Sequence, residues 1–207
     1  MFYDILAFAS SQIISIISAA GYLGIFFLMT LESALIPVPS EIIMPFSGFL
    51  IWEEKFSFWP VVLAGTLGNL LGSIIAYFIG FYGGRPLILK YGKYVLISAG
   101  DLERAEIWFK KYGNFSIMAS RMLPAVRTFI SLPAGIARMS FGKFCLYTFL
   151  GSLPWSILLT YVGVIGGENW QAIDEYIRKF DWLVIIIAAT AVGYWLFIKL
   201  KRKKQTI

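Results

Sequence analysis

Leu31-Glu32-Ser33-Ala34-Leu35-Ile36-Pro37-Val38-Pro39-Ser40-Glu41 and Ser120-Arg121-Met122-Leu123-Pro124-Ala125-Val126-Arg127 decide how the chain is read. Each is an apolar stretch broken by proline, and each carries two charges, acidic in the first and basic in the second. Around them the 207-residue chain is 58% hydrophobic and 14% charged, with a mean hydropathy of +0.74. Such a chain has too little polar surface to cover itself in water. It reads as an all-α integral membrane protein, one membrane domain over 1–207. A charge at the bilayer centre costs roughly 2.5–3.5 kcal/mol even on the lenient insertion scale, so four of them need a reason.

Composition excludes several classes. The chain has no histidine, which removes His-based metal sites and Ser-His-Asp or Cys-His catalysis. No metal or cofactor is expected. Its one cysteine, Cys145, rules out an internal disulfide framework and lies in an apolar run, as a small core hydrophobe does. The excess of 18 Lys+Arg over 12 Asp+Glu flanks apolar spans, which argues against nucleic acid. The N-terminus lacks the basic start and small-residue cleavage site of a signal peptide.

Working outward, residues 1–18 mix serines with Ile, Phe and Ala and predict an interfacial helix. Residues 21–50 are apolar, but Pro37, Pro39 and Pro45 break helix geometry and predict a first re-entrant hairpin. Irregular backbone is tolerated at membrane depth only when packed by protein or lining a wet cavity. Residues 60–82 carry no charge and are long enough to span, with Gly68, Gly72, Ala76, Gly80 and Gly84 forming a small-residue stripe. That stripe suits internal packing or a homodimer.

Residues 85–113 predict an amphipathic cytoplasmic segment, with a helix start at Gly100-Asp101-Leu102-Glu103. A second re-entrant hairpin is predicted over 114–137, broken at Pro124 and Pro133. Spans at 141–166 and 182–199 and a basic tail at 200–207 complete the plan. Segment 85–113 has net charge +3 and the tail from 199 has five basic residues, whereas 52–59 and 167–181 are net negative. The positive-inside rule then puts 85–113, Arg138, Lys143 and the C-terminus in the cytoplasm. The acidic hairpin must enter from outside and the basic one from inside. Two broken hairpins, each followed by a span, make an inverted repeat, an architecture that places transport sites near the midplane.

On an unbroken helix Arg121 and Arg127 would point apart, since six residues is about 1.7 turns. The break at Pro124 permits both to face one spot, and two arginines can grip a phosphate bidentately. Glu32 and Glu41 can likewise converge across Pro37-Val38-Pro39. Burial favours the neutral form of a carboxyl and a nearby arginine the ionised one, so either acid suits gating or proton coupling. Asn69, Tyr77, Tyr147 and Trp155 are candidates to line the cavity. Buried Glu–Arg pairs that only lock the hairpins together are the structural alternative.

Glu32 with Pro37-Val38-Pro39-Ser40-Glu41, Gly68-x3-Gly72-x4-Tyr77-x2-Gly80, and Arg121-x2-Pro124-x2-Arg127 with Ala134-Gly135 and Met139 resemble the DedA family. Phe144, Gly151 and Trp155 extend the resemblance over roughly residues 20–160, with Thr148 departing from an expected Asn. The resemblance implies a bacterial cytoplasmic-membrane lipid translocase. Its substrate class would be undecaprenyl phosphate, recycled as carrier lipid for cell-wall synthesis. The family's functional acids and arginines map onto Glu32, Glu41, Arg121 and Arg127. Alternatives are a flippase for another phospholipid such as phosphatidylethanolamine, a proton- or cation-coupled transporter, a lipid phosphatase, and a membrane scaffold.

Overall fold

Helix α1 (Phe2–Ser33) is kinked at Gly21, whose φ of 60° and ψ of −136° suit a residue without a side chain. The computed structural model describes residues 2–36, 38–84 and 99–167, so the expected span at 182–199 and the tail at 200–207 lie outside it. Before the kink, Ile13 and Ile17 are buried one turn apart, while Ser11, Gln12, Ser15 and Ser18 face outward. The segment expected to lie at the interface is therefore docked on the core. It also runs continuously into the first hairpin, and Ser11–Ser33 is long and apolar enough to cross a membrane.

Beyond Gly21, residues 22–33 rise about 18 Å, roughly half of a membrane crossing. The chain turns at Ala34-Leu35, where Leu35 takes a left-handed φ of 73° at a cost of roughly 1–2 kcal/mol. Pro39 then precedes α2 (Ser40–Trp52). Helix α3 (Phe58–Phe78) follows and continues through a π-helical turn over Ile79–Gly84. The second half has the same order: α4 (Ala99–Ser120), a break, α5 (Pro124–Phe129) and α6 (Ser131–Ile136), then α7 (Phe141–Gly166). Every described element is helical, and Phe58–Gly84 and Phe141–Gly166 are long enough to span. Of the expected surface segment, 85–98 lie outside the described residues; helix α4 starts one residue before the expected Gly100 and does not stop at 113, so 99–113 and the hairpin arm are one helix.

The halves match at their turns. After α2, Lys55 N–H donates to the Leu50 carbonyl (2.9 Å) and Glu54 N–H to that of Ile51 (2.9 Å). After α6, Met139 N–H donates to Ala134 (3.1 Å) and Arg138 N–H to Gly135 (3.0 Å). Both are Schellman caps, in which glycine normally takes the left-handed position. Glu54 (φ 60°) and Arg138 (φ 52°) hold it instead.

The halves also exchange their short arms. Helix α2 packs on α7, and α6 packs on α3 and its π-helical extension. Each crossing relies on paired glycines, Gly48 with Gly163 and Gly80 with Gly135, where one backbone lies against the other. A side chain at 163 would meet the Pro45 backbone, with its Cα at 2.8 Å from the new Cβ. Gly163→Val is expected to destabilise the protein by about 1–3 kcal/mol, read as a lower thermal midpoint in detergent. Gly142→Val, with nothing within 4 Å, should leave the midpoint unchanged. The small-residue stripe is used the same way: Gly68 and Gly72 seat α1, while Gly80 and Gly84 seat α6.

Two apolar cores result. One joins Ile13, Ile17, Ile25, Met29, Ile43 and Val61; the other joins Tyr77, Phe109, Ile117, Ala134 and Phe144. Along α3, Thr66, Asn69 and Ser73 lie buried between Val61 and Tyr77. A polar layer thus separates the two cores.

Candidate functional site

The breaks carry that polar layer. Glu32 ends α1, Ser40 and Glu41 open α2, and Arg127 sits in the last turn of α5. Glu41 at a helix start and Arg127 at a helix end complement the helix dipole, whereas Glu32, at the end of α1, opposes it and relies on Arg127. Residues 86 to 95 positions apart in sequence converge here: Arg127 Nη2 donates to Glu32 Oε1 at 2.5 Å and to Glu41 Oε1 at 3.4 Å. It also donates to the Ser40 hydroxyl, which in turn donates to Glu41 Oε2 at 3.3 Å. The guanidinium carbon lies 5.4 Å from the centre of the Trp155 ring, a cation–π distance. Arg127 is 2% exposed and Glu32 6%.

Burying such an ion pair costs solvation that the attraction only partly offsets, so stability alone does not explain it. Moreover, its hydrogen bonding is incomplete. Arg127 Nε, Glu32 Oε2 and Trp155 Nε1 are buried without a hydrogen-bond partner in the protein. Two donors and one acceptor therefore sit at one centre, unused. Such groups cost about 1–3 kcal/mol each, and a ligand phosphate could accept from the two donors.

Arg121 has a different environment. It is 1% exposed, and its Nη1 donates to Asn69 Oδ1 (3.3 Å), Ser73 Oγ (2.9 Å) and the Arg127 carbonyl (3.0 Å). Its Nη2 donates to Ser131 Oγ (3.0 Å) and Thr148 Oγ1 (3.2 Å). These partners come from α3, the α5–α6 arm and α7. The planar fork ties the second hairpin to both spans and, through the Arg127 carbonyl, positions the neighbouring arginine.

Of the expected residues, Glu32, Glu41, Arg127 and Trp155 meet at one centre, and Arg121 with Asn69 lies beside it. Tyr77 does not line it: its hydroxyl donates to the Met139 carbonyl at 2.5 Å, and its ring packs 4.7 Å from that of Phe144. Tyr147 is half-buried against the same apolar core. Cys145, also half-buried, packs there too. The sequence alone does not single out Ser40, Ser73 and Ser131 as site residues, and it marks Thr148 only as a departure from the family pattern. Their shared signal is a small hydroxyl residue buried within otherwise apolar membrane sequence.

Fold and site together define a multi-pass helical membrane protein with a buried arginine–carboxylate centre between two exchanged helical arms. Residues 38–165 match the VTT domain, and the chain belongs to this family, the DedA family. It is 37% identical over 189 residues to undecaprenyl phosphate transporter A of Bacillus subtilis (strain 168), covering 91% of this chain and 93% of that one. The protein of the same name in Staphylococcus aureus (strain NCTC 8325 / PS 47) is 28% identical, with 91% and 95% covered. An alkaline phosphatase-like protein of Lactococcus lactis subsp. cremoris (strain MG1363) is 34% identical, with 90% and 91% covered. No solved structure matches.

Proposed function

We propose that the protein is a proton-coupled flippase returning undecaprenyl phosphate across the bacterial cytoplasmic membrane for reuse as carrier lipid in cell-wall synthesis. The observation that carries this reading is the buried Arg127–Glu32–Glu41 centre with its unused donors, Arg127 Nε and Trp155 Nε1. The phosphate displaces the carboxylates from Arg127 while the isoprenoid tail stays in lipid. The two arms enter as re-entrant hairpins from opposite faces, with the C-terminus cytoplasmic. The names of the Bacillus and Staphylococcus relatives support the substrate class.

Charge balance supplies the coupling. With both glutamates ionised, the two arginines and two glutamates sum to zero. A phosphomonoester brings about −1.5 to −2 near neutral pH. Protonating Glu32 and Glu41 leaves the two arginines to match it, so loading of the site takes up protons. A transporter rather than an enzyme is the reading that the names of those relatives support, and a chain without histidine has no His-based phosphatase chemistry.

The test is lipid movement in proteoliposomes. Labelled undecaprenyl phosphate should cross at a rate that rises with an imposed proton gradient, and unlabelled undecaprenyl phosphate should compete far better than phosphatidylethanolamine. Phosphate release should stay at background. Glu32→Gln, fixed in the neutral form, should transport at least about tenfold more slowly, equivalent to about 1.4 kcal/mol, and lose the gradient dependence. Equal competition by phosphatidylethanolamine would refute the substrate; an unchanged gradient response in Glu32→Gln would refute the coupling.

A further inference from the structure

A cavity lies away from the arginine–carboxylate centre. It encloses about 350 Å³ between the middle of α4 and the turn joining α6 to α7. Lys111, Arg138 and Lys143 line it, and among the described residues its lining holds no carboxylate. Apart from Ser140 the rest of the wall is apolar or aromatic, chiefly Phe109, Tyr112 and Phe115. Two of the cations are held against rings: Lys111 Nζ lies 5.0 Å from the centre of the Tyr112 ring, and the Arg138 guanidinium 5.4 Å from that of Phe81. Arg138 occupies the left-handed cap position that glycine would fill without strain, so the backbone bears a cost to present a charged side chain there. Ile107 and Phe115 are exposed on α4 and Phe141 at the start of α7, the helices that also carry Lys111 and Lys143. Apolar surface beside clustered cations suits the boundary between lipid and water.

We infer that this cavity is a docking site for the phosphate headgroup of an amphiphile, distinct from the central site, with the cations on the phosphate and the aromatic wall on the first part of the tail. Its use as a release position for the transported lipid on the cytoplasmic side rests on the function proposed above; the binding itself does not.

The probe is dodecyl phosphate bearing a diazirine in its tail, applied to the full-length protein in phosphatidylcholine nanodiscs. Label should map to residues 109–115 and 137–143. In Arg138→Gln/Lys143→Gln it should fall about thirtyfold there, as expected for the loss of two interfacial charges. Label near Trp155 should persist in that variant. Excess dodecyl phosphate should suppress the cavity label, whereas inorganic phosphate should not. Equal competition by inorganic phosphate would make the ligand a free anion and overturn the inference. So would equal labelling by the diazirine analogue of dodecanol, or undiminished labelling of the double variant. Failure of lipid transport with cavity labelling intact would refute the function and leave the docking site standing.

Discussion

Arg121→Lys is expected to lower the stability of the protein by at least about 3 kcal/mol, a magnitude set by leaving two or more buried polar groups unpaired. The guanidinium reaches five acceptors on three structural units: Asn69 and Ser73 on α3, the Arg127 carbonyl and Ser131 on the second arm, and Thr148 on α7. Lysine retains the charge but offers three donors from a single nitrogen, which cannot bridge acceptors spread around a planar fork. Gly151 packs against the aliphatic stem of Arg121, with the position of a Cβ there 2.8 Å from its Cγ, so the path to the cluster is also shaped for this side chain. The expected readout is a lower thermal midpoint and reduced folded yield from membranes. An Arg121→Lys protein that melts normally yet fails to bind lipid phosphate would instead return Arg121 to the direct ligand role that the sequence alone suggests.

That difference between two arginines marks where sequence reading ends. Arg121 and Arg127 flank the same proline and look equivalent, and only tertiary partners separate them. Arg127 meets Glu32, 95 positions away, whereas Arg121 meets hydroxyls and an amide. The breaks themselves were legible, because proline in apolar sequence excludes a straight helix and charge at membrane depth demands compensation. The repeat was legible only in outline. Its clearest sign, the pair of Schellman caps, is hidden because Glu54 and Arg138 stand where glycine would announce the turn. The docking of residues 11–20 was hidden for another reason. Serines at 11, 15 and 18 give a weakly polar face that an interfacial helix shares with a helix packed through Ile13 and Ile17. Aromatic residues were the least predictable: Trp155 reaches the site and Tyr77 does not, although both lie in apolar spans.

Arg127→Ala is expected to slow transport of undecaprenyl phosphate at least about thirtyfold, since truncating one partner of a buried, hydrogen-bonded charge pair costs about 2–5 kcal/mol at a binding site. Loss of activity alone would be ambiguous, because the same change strands Glu32 and Glu41 without a counter-charge and destabilises the fold by about 3–5 kcal/mol while they stay ionised. A double variant separates the two effects. In Arg127→Ala/Glu32→Gln the more deeply buried carboxylate is neutral, so much of the lost stability should return. Transport should not, because the group that holds the phosphate is still missing. A centre that only locks the arms together predicts the opposite, with transport recovering alongside stability. Arg127→Lys sharpens the comparison: it keeps the positive charge opposite Glu32 and Glu41 but lacks the Nε donor that Arg127 holds in reserve. It should melt closer to the native protein than Arg127→Ala does and still carry lipid at a small fraction of the native rate.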